Sequence, residues 1–282
     1  MIVQWNAAKY EPLGRCLYCP ETADLQAEHI IPFGLLPKGG DWFIPKASCP
    51  ACADITKMFE GVALGPMLGP LRHHLDLKTR RKKSGRMNLR RKTRHGLVWE
   101  QEIEIASFPK LCVGFRWPIP GLLSGAEPTS KFGGELVVRG DTAQIGNFTT
   151  DDVGYRIARV GTLDFARMLA KIAHAYAVAR YGFDSFEPFL PPLIRGDTNL
   201  APQFVGGDGR ETPREQPNVL HEIFRLDAQK AGDVPYLGVA IQLFAMIGMP
   251  RYHVIVGRRL KEGPASEKRG DTIAVELPIP LR

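Results

Sequence analysis

The sequence predicts an α+β protein, with a small zinc-bound module at the N-terminus and a C-terminal α+β domain. Three observations carry this. Two Cys-x-x-Cys pairs, Cys16/Cys19 and Cys49/Cys52, fall within residues 1–62. Short β-branched and alternating runs recur after residue 96. One stretch, 162–181, repeats its apolar residues at steps of three and four.

The cysteine pairs come first in the chain. Each Cys-x-x-Cys turn aims two sulfurs at one point, and two such turns complete a tetrahedral thiolate shell with no open position, so the site is structural. The 29 residues between Cys19 and Cys49 exceed the span of a simple ribbon, so a loop must be inserted there. The alternative, two incidental or redox motifs, fits poorly with four cysteines inside 37 residues and no other until Cys112. Cys112 itself lies in Leu111-Cys112-Val113-Gly114-Phe115, a buried-strand pattern in which Cys acts as a small hydrophobe.

Residues 63–95 form a bridge punctuated by Gly65-Pro66 and Gly69-Pro70, which break any long helix. Residues 96–282 read as the second region. Strands are predicted over 97–105, 111–117 and 135–139. The helix over 162–181 carries Phe165, Met168, Leu169, Ile172 and Tyr176 on one stripe and ends at Gly182, a C-cap residue. A polar loop is predicted over 187–217, including Gly206-Gly207, and a closing hairpin over 237–246 and 253–256 with its turn at Gly248-Met249-Pro250.

Charge is concentrated. The chain carries +7 overall, but residues 72–94 hold eleven Lys or Arg against Asp76 alone, which is +10, leaving −3 for the remainder. The protein is near neutral with one basic segment, which points to a polyanionic partner. An apolar content of 44% supports a core, and 24% charged residues argue against wholesale disorder. No secretory signal and no 18-residue apolar stretch is visible, so a cytoplasmic, non-membrane protein is expected, where paired cysteines serve metals more often than disulfides.

The order of motifs in residues 16–60 resembles the zinc-stapled HNH endonucleases, the ββα-metal nucleases. The resemblance rests on Cys16-Leu17-Tyr18-Cys19, then Ala27-Glu28-His29-Ile30-Ile31-Pro32, then Ala47-Ser48-Cys49-Pro50-Ala51-Cys52, then Asp54-Ile55-Thr56-Lys57-Met58-Phe59-Glu60. It covers about 50 of the 282 residues. It implies structural Zn²⁺ on the four cysteines and a catalytic divalent ion, Mg²⁺ or similar, with Glu28 as first ligand. It implies His29 as general base, a role suited to a group titrating near neutrality. The expected activity is metal-dependent hydrolysis of phosphodiester bonds in DNA, with RNA as the alternative substrate.

Two departures bear on that expectation. Asp is usual where this chain has Glu28, an equivalent but longer carboxylate. The second metal ligand normally follows the last zinc cysteine directly, and Ala53 stands there. Asp54 is one residue further, about 100° around a helix. It serves as the ligand if the helix starts late or its first turn is distorted, and otherwise reads as an N-cap. A catalytically degenerate nucleic-acid-binding module with zinc alone is therefore the second expectation.

The basic segment, with Arg80, Arg81, Lys82, Lys83, Arg86, Arg90, Arg91, Lys92 and Arg94, reads as a sequence-blind clamp on nucleic-acid phosphates. Its alternative is a solvated loop. Tyr18, Trp42 and Phe43 flank the site or belong to the core. His174 falls off the helix stripe, and His221 and His253 have no ligand partner at short spacing. Residues 96–282 leave substrate selection, partner binding and dimerisation all open.

Overall fold

A computed structural model describes residues 10–80, 85–93, 95–96, 98–143, 153–156, 161–209, 215–229, 235–260 and 273–276. Within them the chain is a mixed α+β fold, as expected from the sequence.

The N-terminal part is two strands and a helix. β1 (Gln26–His29) pairs antiparallel with β2 (Phe43–Ser48), with a register irregularity between Gln26 and Glu28. α1 (Pro50–Val62) follows at once. Its N-cap is Cys49, and Pro50 takes a first-turn position where a missing N–H costs nothing. A single π-helical turn over Ala63–Met67 absorbs the Gly65-Pro66 break, and α2 (Gly69–His74) follows.

The described part of the basic segment runs from the end of α2 through an irregular stretch over 75–80 and then into a strand. β3 (Arg86–Thr93) pairs with β4 (Val98–Glu104) and with β7 (Val153–Arg156). The register sets Arg86 opposite Glu104, Asn88 opposite Glu102 and Arg90 opposite Glu100. A basic strand thus lies along an acidic one, and the Arg86–Glu102 pair closes at 2.8 Å. Opposite charges across strands stabilise modestly, as in the Arg86–Glu102 pair.

β5 (Leu111–Arg116) and β6 (Glu135–Gly140) form a second two-stranded sheet, joined through the short α3 (Gly121–Ser124). α4 (Thr162–Tyr181) then crosses the molecule, and Gly182 ends it at φ 76°, donating its N–H to the Val178 carbonyl at 2.9 Å. The region 187–217, expected as one loop, instead holds short elements. They are β8 (Phe186–Pro188), α5 (Leu190–Arg195), α6 (Ala201–Phe204) and β9 (Val205–Gly207). Gly206 and Gly207 lie in β9 because Pro118, Pro120 and Trp117 backbone crosses them; an added Cβ would meet Pro118 O or Trp117 O at 2.4 Å.

β10 (Val219–Gln229), β11 (Pro235–Leu243), β12 (Arg251–Arg259) and β13 (Ile273–Glu276) complete the largest sheet, in the order β13-β10-β11-β12-β8 with β9 also on β12. The expected closing hairpin is β11–β12, antiparallel.

α4 is apolar on more than one face. Phe165 to Val178 are all buried except Arg167, because α1, α5 and the large sheet pack around it. Among the described residues, the principal core cluster joins Cys16, Leu17, Tyr18 and Trp42 with Tyr176, Tyr252 and Val275. Among the described residues, no helix is long and apolar enough to cross a membrane.

Candidate metal centre and adjoining cleft

The four cysteines converge. Cys16 and Cys19 lie in the loop before β1, Cys49 caps α1 and Cys52 sits in its first turn. Their sulfurs all lie within 4.8 Å of one another, with Cys19 Sγ and Cys49 Sγ at 3.6 Å. Tetrahedral zinc at about 2.3 Å from each sulfur needs S···S spacings of about 3.8 Å, so the cluster matches a closed thiolate shell. Backbone N–H groups of Tyr18 and Cys49 donate to Cys16 Sγ at 3.5 Å each, and such donors stabilise the negative charge of a thiolate. Burial alone would raise the Cys49 thiol, but the Cys52 N–H and the neighbouring sulfurs outweigh it and hold Cys49 low. Cys19 and Cys52 are instead pushed up, chiefly by burial. Four thiols this close cannot all lose their protons without a cation between them. The donor set fits structural Zn²⁺.

Beside this cluster a cleft opens between β1 and α1. It is lined by Glu28, His29, Asp54, Lys57, Glu60 and Lys171, with Phe33 and Arg80 at its edge. The zinc cysteines and the cleft residues share α1, so the staple at its N-terminus sets the direction in which Asp54, Lys57 and Glu60 project.

His29 ends β1. Its ring is half-buried, edge-on to Phe33 at 5.5 Å and tilted against Phe43 at 5.9 Å. Burial, and then the Lys171 charge, lower its pKa to about 4, so the imidazole is neutral at pH 7 and keeps a lone pair. Of the three aromatic residues weighed from sequence, Phe43 adjoins this site, whereas Tyr18 and Trp42 belong to the core.

Asp54 is neither an N-cap nor the beginning of a late helix. The helix starts at Pro50, and Ala53 N–H bonds Cys49 O at 2.9 Å, a regular first turn. Asp54 is an exposed residue inside the helix, at the cleft wall.

Glu28 is buried and does not face open solvent. Its Oε1 lies 2.8 Å from Lys171 Nζ, and the same ammonium meets Glu60 Oε1 at 3.0 Å and donates to the His29 carbonyl. Burial alone would lower Lys171, but Glu28 and Glu60 outweigh it and hold the ammonium charged. Glu60 is pushed up by burial, against the pull of Lys171. Sequence reading missed Lys171 as a cleft residue, since its partners lie more than 100 positions away and its helix spacing reads as core.

Lys171 is joined by other side chains of the later region that donate to carbonyls of the first 36 residues. His174 Nε2 bonds Leu17 O at 2.9 Å, Arg195 Nη1 bonds Tyr18 O at 2.8 Å, and His221 Nε2 bonds Leu35 O at 2.8 Å. A carbonyl can only accept, so both histidines carry their proton on Nε2. Neither is a metal ligand.

The basic residues divide. Arg72, part of the charge counted over 72–94 but not of the expected clamp, is a fold residue, donating to the carbonyls of Gly34 at 2.5 Å, Leu64 at 2.8 Å and Lys78 at 3.1 Å. Lys78 pairs with Asp41 at 2.7 Å. Arg80 is exposed, with its guanidinium 5.7 Å from the Phe33 ring centre at the cleft edge. Arg81, Lys82, Lys83 and Arg94 lie outside the described residues. The structure describes Arg90, Arg91 and Lys92 as backbone of β3.

No family model matches the chain, and neither curated proteins nor solved structures give a match.

Proposed function

We propose that the chain is a metal-dependent endonuclease of the HNH type, hydrolysing phosphodiester bonds in DNA with His29 as general base. One observation carries the reading. A neutral imidazole and the carboxylates of Glu28 and Asp54 line a single cleft on two strands and a helix anchored by four clustered sulfurs. The helix immediately following the second strand supports the same reading.

Glu28 is the residue that would hold a divalent ion, and an oxygen donor of that kind suits Mg²⁺ or Mn²⁺. The regular start of α1 removes the distorted turn on which a ligand role for Asp54 depended, so Asp54 stays a carboxylate of the cleft wall. Such an ion supplies charge stabilisation at the scissile phosphate. His29 accepts the proton of the attacking water; it is neutral at pH 7 and keeps its lone pair, but burial makes it a weaker base than the near-neutral group expected from sequence. Phe33 packs edge-on and Phe43 tilted against the ring.

Plasmid nicking in Mg²⁺ or Mn²⁺ tests this. His29→Ala is expected to lower the rate by about 10²-fold or more, the usual contribution of a general base, with zinc content unchanged. Equal cutting by the variant removes His29 from the chemistry.

Arg80 with Arg81, Lys82 and Lys83 is proposed as the phosphate clamp. Replacing all four by Ala is expected to weaken DNA binding and to flatten its salt dependence, by roughly 0.9 in log–log slope for each phosphate no longer neutralised. An unchanged slope rules the clamp out.

A second reading, nucleic-acid binding without cutting, is favoured by Ala53, which offers no ligand atom, and by the hold of Lys171 on Glu28. Binding with intact salt dependence but no nicking in any divalent ion would select it.

A further inference from the structure

We infer that the Lys171 ammonium is a resident cation of the cleft, filling an oxygen-lined position that would otherwise take a divalent ion. The inference rests on reading the cleft as a cation site and goes further, assigning one of its positions to the protein itself.

The oxygens around Lys171 Nζ define the position. They are Glu28 Oε1 at 2.8 Å, Glu60 Oε1 at 3.0 Å and the His29 carbonyl. Two carboxylates and a peptide carbonyl are the donor set of a hard-cation site. The ammonium donates to the His29 carbonyl and is ion-paired with both carboxylates, and its burial keeps it from a substrate phosphate. Lys171 therefore does not grip nucleic acid. Its side chain is 1% exposed, and the Glu28 side chain is 8% exposed. A charge so deep persists only where its surroundings compensate it, and here two carboxylates do.

The consequence is a limit on what else the cleft can hold. One oxygen of Glu60 and one of Glu28 are committed to Lys171. An added ion therefore meets fewer uncommitted carboxylate oxygens in the cleft than it would without Lys171. Lys171 also belongs to α4, 142 residues after His29, so the later region of the chain contributes a group to the site. Its bond to the His29 carbonyl fixes the end of β1, which makes it a positioning residue for the imidazole as well.

The test uses Mn²⁺ alone and the full chain, with no nucleic acid. Bound Mn²⁺ is followed by loss of the free-ion electron paramagnetic resonance signal. Lys171→Met, which keeps the stem and removes the charge, is expected to bind Mn²⁺ at least about tenfold more tightly than wild type, because a vacated carboxylate site gains ligand charge. Adding Glu28→Gln to that variant is expected to abolish the gain. A folded, zinc-loaded Lys171→Met whose Mn²⁺ affinity stays at the wild-type level overturns the inference. Should Lys171→Met lose its fold in divalent-free buffer, millimolar Mn²⁺ is expected to restore the far-UV circular dichroism signal, and failure to restore it is equally fatal. The nuclease reading fails separately, if wild type nicks no DNA. A silent wild type alongside an Mn²⁺-binding Lys171→Met would leave the resident-cation assignment standing and turn the cleft into a binding site closed by its own lysine.

Discussion

Cys49→Ser is expected to release the metal and to unfold more than the cysteine loops. Zinc held by four thiolates contributes an apparent ~10–16 kcal/mol at pH 7, and a site missing one ligand keeps only part of it. In a free-standing zinc module the loss would stay local. Here Cys16, Cys49 and Cys52 belong to the same buried cluster as Phe165, Tyr176 and Tyr252. α1, which begins just after Cys49, packs along α4. Loss of the staple frees the start of α1, and the face of α4 beneath it loses its cover. A stability of ~5–15 kcal/mol, ordinary for a domain, cannot absorb that. Zinc content falling from one per chain toward zero, with the main thermal transition lowered or lost, is the expected result. Cys112→Ser is the control: Cys112 is equally buried but lies outside the sulfur cluster, so it should retain zinc. Full zinc occupancy and an unshifted transition in Cys49→Ser would refute the assignment.

Much of the fold is written in short-range pattern, and that part is legible. The spacing of Phe165, Met168, Leu169, Ile172 and Tyr176 marks α4, and Gly182 marks its end. The two cysteine turns mark the metal centre because their geometry is local. The β11–β12 hairpin is announced by its Gly-Met-Pro turn. What stays hidden is decided by distant partners. Nothing near Lys171 states that Glu28, 143 positions earlier, will receive it. His174 reads as a polar residue off a stripe, yet it is buried because Leu17 O waits for its proton. Arg72 looks like one more cation of the basic stretch, whereas three backbone carbonyls claim it. The acidic partner of the basic strand is a further case. Glu100, Glu102 and Glu104 are visible in the sequence, but their register against Arg90, Asn88 and Arg86 exists only once β3 and β4 pair. In the cleft the same division holds. His29 and Glu28 come from an adjacent pair read directly, while Glu60 and Lys171 become site residues only through packing.

Acid is expected to unfold this protein from within, through two histidines that are not in the cleft. His174 and His221 are each fully buried, and burial pushes each down to about 4. Their surroundings explain why protonation is resisted. His221 already donates from Nε2 to Leu35 O, and its Nδ1 accepts the Phe244 N–H at 3.1 Å, so a second proton would destroy an existing bond. His174 donates to Leu17 O, and its buried Nδ1 has no hydrogen-bond partner to receive a new proton. In the unfolded chain both titrate near 6.5. Between about pH 6.5 and 4 the unfolded state thus binds more protons than the folded one. Stability is then full above that window and declines as pH falls through it. A depression of that size amounts to roughly 3 kcal/mol per histidine, or about 6 for the pair, a large share of an ordinary domain's stability. Zinc release also weakens the fold in acid, so the total slope cannot be assigned to histidine alone. The difference between two proteins can. His221→Gln retains a donor for Leu35 O and cannot titrate. It is expected to be somewhat less stable at pH 8, by about 1 kcal/mol for the lost Phe244 bond. Its denaturant-measured stability should fall less steeply between pH 6.5 and 4, by up to one proton, or about 1.4 kcal/mol per pH unit. The zinc contribution is common to both proteins and cancels. Parallel curves for wild type and variant would show that His221 does not set the acid limit.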